Sequence, residues 1–205
     1  MTSTPTRGSA SLAQPDYWWY RARSSLLDAV LGDLLGDPKR VLDVGSADAP
    51  SVGWMAGDHA RITLDIDPRG LVAGRSVCGS ALALPFADET FALAASLNVV
   101  DCVAAPRLAL AELARVVRAG GSAVVATPYD WSPASTPMEN WIGGHSQRGP
   151  HGGAPEPLLR ALVAEEGFEI VEERERLPWR VRLHDRSSVE YEVHAVVGRK
   201  GIRSR

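Results

Sequence analysis

Short apolar runs alternate with helix-period segments along most of this chain, and that alternation constrains the fold more than any other feature. "RVLDVG" (40–45), "RITLDID" (61–67), the weaker "RSVCGS" (75–80), "TFALAASLNVV" (90–100) and "GSAVVATP" (121–128) each read as a buried strand. Helical spacing appears ahead of the first run, where Leu26, Val30 and Leu34 share a face and Gly36 ends the pattern. It is clearest in "PRLALAELARVVRAGG". There Pro106 suits a first helical position, Leu110, Leu113 and Val117 line one face, and Gly120-Gly121 is expected to stop the helix. A further helix, "EPLLRALVAEEG", precedes two strands, "FEIVEERERL" and "YEVHAVVGRK". No helix of adequate length separates those two, so they are expected to pair antiparallel. Strands alternating with helices predict an α/β fold with a doubly wound sheet covered on both faces. Ligands on such sheets bind beyond the carboxyl ends of the strands, where strand order reverses.

The 205 residues suit one domain with a substantial core. A formal charge of −3 argues against nucleic acid held by a general basic surface, and no apolar run is long enough for a membrane span. Residues 1–15 read as a flexible polar leader without a secretory signal, with the folded domain expected over 16–205. Cys78 and Cys102 sit in apolar neighbourhoods and are expected to be buried thiols in a reducing compartment. No Cys/His cluster has zinc spacing. The expectation is a cytoplasmic protein, monomer or homodimer, with a small-molecule partner, no nucleic acid, no membrane and no metal.

After the first strand, Gly45 lets the backbone turn sharply, but the positions where further glycines would cradle a phosphate are Ala47 and Ala49. Asp48 would repel a pyrophosphate there, whereas a cofactor with a positive centre and no phosphates would not suffer. Asp65, near the end of the second strand, stands where a carboxylate accepts both ribose hydroxyls of an adenosine, with Asp67 a competitor for that role.

The segment "GSALALPFADETFALAASLNVVDCVAAPRLALAELARVVRAGGSAVVATP", with "VLDVGSADA" and "LDIDPRGL" ahead of it, resembles the class I S-adenosylmethionine-dependent methyltransferases of the type 11, UbiE-like kind. The resemblance covers roughly residues 38–128. It implies a Rossmann-like, seven-stranded sheet with an antiparallel last strand, and S-adenosyl-L-methionine as cofactor with S-adenosyl-L-homocysteine as product. Carried over, it places Gly45, Ser46 and Ala47 along the methionine and ribose side, with Asp43 acting through water or loop amides. Asp65 would hold the ribose, Ile66 one face of the adenine, and Ser80, Ala81 and Leu82 its edge. Leu97 and Asn98 would pass under the methionine arm. Ser80 replaces the family's usual acid, and together with Ala47 it is the only support for a non-catalytic, cofactor- or partner-binding rival.

Methyl transfer needs a nucleophile about 3 Å from the methyl carbon, removal of its proton if it has one, and exclusion of water. The loop at 129–155 carries aromatic walls, polar groups and glycines suited to a substrate lid. His145, Tyr129 and Asp101 are the candidate catalytic residues, His145 foremost because its ordinary pKa lies near neutrality. Candidate substrate contacts are Tyr17, Arg21, Trp131, Asn140, Trp141, Arg148 and Arg182, the arginines as clamps for a carboxylate. His194, between valines in a strand, reads as a structural histidine. "TPYDWSPASTPMENWIGG" (127–144) resembles a stretch of the ovothiol-pathway methyltransferase domain. That resemblance implies an imidazole or amine nitrogen of a thiol-histidine-type acceptor. An O- or C-methyltransferase of secondary metabolism is the alternative.

Overall fold

The computed structural model describes residues 22, 25, 30, 38–45, 60–68, 71, 76–144 and 152–202. Seven strands form where the apolar runs lie: β1 (Arg40–Val44), β2 (Ala60–Asp65), β3 (Ser76–Cys78), β4 (Phe91–Leu97), β5 (Val117–Thr127), β6 (Phe168–His184) and β7 (Ser187–Lys200). They build one sheet in the order β3-β2-β1-β4-β5-β7-β6. The first five run parallel, and β7 lies antiparallel to both β5 and β6. This is the α/β sheet expected, with its direction reversed at the last strand.

Side-chain alternation sorts the strands into two cores. Leu42, Val44, Leu64, Ala94 and Val125 pack with helix α1 (Pro106–Val116) and helix α2 (Glu156–Glu165) on one face. Val41, Leu93, Ala95, Leu97 and Val124 pack on the other, together with Trp179 and Val30. Ala22, Ser25 and Val30 are helical, as the N-terminal pattern predicts. The aromatic stretch at 17–20 and the leader at 1–15 lie outside the described residues.

Helix α1 ends earlier than the glycine pair implies. Val117 turns extended (φ −78°, ψ 129°), and β5 begins there. The pairing with β4 then jumps from Phe91↔Val117 to Leu93↔Ser122, so the residues between bulge out. The glycines serve that bulge: Gly120 has φ +71°, and a Cβ on Gly121 would lie 2.9 Å from two backbone oxygens. Lys200 at the end of β7 caps the helix, its Nζ donating to Ala114 O and Val117 O at 2.7 Å each.

β6 and β7 are longer than their apolar patterns indicate. β7 pairs with β5 only from His194 to Arg199, whereas its first half pairs with β6 alone as a ribbon reaching past the sheet. Trp179 is buried at the base of the ribbon, packed against Tyr191. The ribbon's charged side chains obscure its strand character in sequence, and Pro178 is tolerated because β6 is an edge strand.

Candidate active site

Strand order reverses at β1, which is flanked by β2 and β4, and a crevice of about 410 Å³ opens beyond the carboxyl ends of these strands. Gly45 forms its floor with φ +73°, its N–H donating to Leu64 O at 2.8 Å. A Cβ there would stand 2.2 Å from Val99 Cγ2, so glycine is required both by the backbone and by the side chain closing the crevice from the β4 side. Ser46 and Ala47 lie outside the described residues. Asp43 is fully buried and does not line the crevice.

Asp65 ends β2 on the crevice wall. Its Oδ1 accepts the N–H of Asp67 and its carbonyl accepts that of Gly79, both at 2.9 Å. Asp67 does not line the crevice, whereas Asp65 does. Ile66 follows with 73% of its surface exposed, an uncovered apolar face on the same wall. Beside it, just past β3, Ser80 turns the chain: its Oγ accepts Leu82 N–H at 3.1 Å and its carbonyl accepts Ala83 N–H at 3.2 Å. Ser80, Ala81 and Leu82 all line the crevice.

Asn98 leaves β4 in the left-handed region (φ 54°), its N–H bonded to Ala126 O at 2.7 Å and its buried Oδ1 without a partner among the described residues. A buried amide oxygen left unpaired is costly, and it lies on a crevice wall. Leu97 requires correction. Its side chain belongs to the opposite core with Val41 and Ala95, because strand alternation turns it away from the crevice. Val99, Cys102, Val103 and Ala104 line it instead. Only their position in the turn between β4 and Pro106 could have signalled this. The two cysteines also depart from expectation, since both are free and exposed. Cys78 ends the edge strand β3, and Cys102 faces the crevice. Surrounding protein, then Asp101 and Asp130, push the Cys102 thiol up to about 11.

The described part of the loop after β5 is docked rather than hinged. Asp130 N–H donates to Asp101 Oδ2 (3.0 Å), and buried Thr136 donates through Oγ1 to Val103 O (2.7 Å). Asn140 Nδ2 donates to Ala104 O (2.9 Å). These contacts brace the crevice wall from behind. Asp101 and Asn140 thus each commit a side-chain polar atom to the backbone of a neighbouring loop. Asp101 is buried, and that burial raises its pKa against opposing hydrogen bonds. Trp131 and Trp141 stack at 6.2 Å between ring centroids, with Trp141 Nε1 donating to Thr136 O at 2.8 Å.

Tyr129, in the left-handed region at φ 57°, packs beside Trp131 and bonds His194 Nδ1 through its hydroxyl at 2.6 Å. His194 is buried and bonds Glu173 Oε1 through Nε2 at 2.8 Å, and the same oxygen accepts from Arg160 at 2.7 Å. Burial works to raise the Glu173 pKa, but the Arg160 and His194 hydrogen bonds prevail and hold it low. Burial, with nearby carboxylates, drives the Tyr129 phenol upward, so it stays protonated. Arg182 pairs with Asp185 at the ribbon tip and does not line the crevice. His145, Arg148, Tyr17 and Arg21 lie outside the described residues. Among the described residues no cluster of His, Cys, Asp or Glu could hold a metal, and no helix is long and apolar enough to cross a membrane.

Residues 42–125 match the profile of a methyltransferase domain. A demethylmenaquinone methyltransferase of Mycobacterium marinum is 39% identical over 125 residues, which are 56% of this chain and 49% of that protein. The chain thus spans about half the length of the curated relatives it matches. Among solved structures, one described as the conversion of a disulfide bond into a thioacetal group during echinomycin biosynthesis has a TM-score of 0.63 at 19% identity, covering 88% of this chain and 82% of its own. The 1,6-didemethyltoxoflavin-N1-methyltransferase of Burkholderia thailandensis, solved with S-adenosylhomocysteine, scores 0.55 at 17% identity, covering 92% and 81%. At such identities these structures establish the shared fold. The matched segment runs from β1 to β5 and includes the switch point, so the crevice lies in the part of the chain that resembles a methyltransferase domain.

Proposed function

We propose that this protein transfers a methyl group from S-adenosylmethionine to a small planar acceptor, with a hydroxylated aromatic ring as the acceptor class. One observation carries the cofactor reading: Asp65 and the exposed Ile66 stand side by side on the crevice wall above Gly45. A carboxylate suits a pair of sugar hydroxyls, and an uncovered apolar side chain suits the flat base attached to them. Bound there, the sulfonium cofactor supplies an electrophilic methyl group and a neutral thioether as leaving group. Asp65 would accept from the ribose, Ile66 would cover adenine, and Ser80 to Leu82 would border its edge. The unpaired Asn98 Oδ1 offers an acceptor on the β4 side.

The acceptor class is supported by the aromatic cluster of Tyr129, Trp131 and Trp141 beyond β5, and by the quinone-related activity named for the curated relatives. Removal of Arg182 from the site weakens the carboxylate clamp that an amino-acid acceptor would use. An imidazole nitrogen of thiol-histidine type is the second reading, supported by the 127–144 stretch. A cytoplasmic setting accompanies either, because two exposed free thiols persist best in a reducing compartment. The test is calorimetry with S-adenosylhomocysteine followed by mass spectrometry of S-adenosylmethionine reactions with a prenylated naphthoquinol and with thiol-histidine. The proposal expects cofactor binding and methylation of the naphthoquinol. Methylation of thiol-histidine alone selects the second reading, and folded protein giving no heat with the cofactor product overturns both.

A further inference from the structure

The tip of β5 carries a hydrogen-bonded chain that neither cofactor binding nor the loop braces explain. Thr127, the last residue of β5, pairs in register with His194 of β7, and its Oγ1 accepts the N–H of Tyr129 at 3.0 Å. This places the Tyr129 ring over the His194 imidazole, the two at 28° with centroids 5.9 Å apart. The proton arrangement follows from the neutral form of His194. Glu173 is an acceptor only, so Nε2 of a neutral His194 carries the hydrogen it donates there. In that neutral form Nδ1 is a lone pair, and the Tyr129 hydroxyl donates to it across 2.6 Å. Arg160 from α2 holds Glu173 ionised from the other side.

The place of this chain is as informative as its chemistry. Asn98 and Tyr129 are non-glycine residues in the left-handed region just past the ends of β4 and β5, which are neighbours in the sheet. A left-handed tyrosine costs on the order of 1–2 kcal/mol, and such strain clusters at sites where a side chain must be aimed. The phenol oxygen keeps a lone pair to receive a proton while it donates its own.

We propose that Tyr129 and His194 form a proton relay for the methyl acceptor beyond the end of β5, with Glu173, kept ionised by Arg160, holding the imidazolium that results. This rests on the methyltransferase reading. As the acceptor atom bonds to the methyl carbon, the carbon–sulfur bond breaks and its electron pair stays on sulfur. The proton lost by the acceptor passes to the Tyr129 oxygen, and the Tyr129 proton passes to His194 Nδ1. The proton then returns to solvent, so one proton is released per methyl transferred. The relay selects acceptors that have a proton to lose, such as a phenol, a hydroxyarene attacking through carbon, or an imidazole N–H. Tyr129 is the catalytic residue, and His194 is a positioning residue that acts through it.

Charged groups facing the pair are Glu173 of β6, Arg160 and Glu156 of α2, and Asp101 after β4. The experiment compares wild type with Tyr129→Phe, which keeps the ring packing, and with His194→Gln, using the prenylated naphthoquinol and thiol-histidine as probes. Both variants are expected to bind S-adenosylhomocysteine as wild type does, with KM for the acceptor within a few-fold. Their kcat should fall about 100-fold or more. Variants within three-fold of wild-type kcat, or a loss carried by KM rather than kcat, overturn the relay and leave the methyltransferase reading standing. A folded wild type that binds no S-adenosylhomocysteine overturns that reading instead.

Discussion

Replacing Arg115 with alanine should destabilise the fold by about 3 kcal/mol, and the figure follows from what its guanidinium holds. Arg115 lies on α1 and reaches the turn after β3, donating to Phe86 O at 2.8 Å and Leu84 O at 2.9 Å. It also forks onto both oxygens of Glu112, at 2.8 and 2.9 Å, while Glu112 Oε2 accepts Leu84 N–H at 2.7 Å. Each carbonyl bond is worth about 1 kcal/mol, and the partly shielded Glu112 pair adds about as much again. The Asp88 contact adds little, since that carboxylate is exposed. For a chain of this size the loss corresponds to a Tm lower by roughly 6–12 °C, measured by circular dichroism. Arg115→Lys should recover less than half, because an ammonium cannot fork between the carbonyls. The pH dependence has a definite sign. Hydrogen bonding to Arg115 holds the Glu112 pKa below its ordinary 4.5. Its stabilisation is therefore complete above about 4.5 and lost as pH falls through the lowered value, so the gap between wild type and variant should narrow in acid by the Glu112 share, about 1 kcal/mol, while the carbonyl bonds persist. A Tm difference under 2 °C at neutral pH would refute the clamp.

Gly45→Ala should destabilise by at least about 1–2 kcal/mol from its left-handed backbone alone. The added Cβ also clashes with Val99, so Gly45→Ala with Val99→Ala should regain part of the loss in urea titrations; no recovery would deny the contact. In a Cys78→Ala background, iodoacetamide labelling of Cys102 should be slow near neutrality and accelerate toward pH 11, because the thiolate is suppressed. S-adenosylhomocysteine should protect Cys102, and labelling indifferent to that ligand would place the cofactor elsewhere.

The parallel strands were legible because burial on both faces leaves a continuous apolar run, as in Leu42 and Val44 against Val41. Gly45 and Asp65 were legible because turn chemistry and strand ends are local properties. The ribbon was not: Arg180 and Glu190 face solvent on opposite strands, so its pattern lacks the apolar alternation that marks a half-buried strand. The end of α1 was misread because Gly120-Gly121 serves a bulge that exists only once β4 and β5 pair. Asp101 and Asn140 look like reactive polar groups in sequence, yet their partners, Asp130 and Ala104, are set by how two loops meet. Glu112 and Arg115, three residues apart on α1, form the clamp on Leu84 and Phe86, whose partners are likewise set by how the helix meets the turn after β3.

Calorimetric titration of S-adenosylhomocysteine into wild type and Asp65→Ala tests the account most directly. Loss of a carboxylate that accepts ribose hydroxyls removes on the order of 1.5–3 kcal/mol, so Kd should rise by about 10- to 100-fold while Tm without ligand barely changes. Equal affinity in the two proteins would contradict the adenosine site at the tips of β1 and β2.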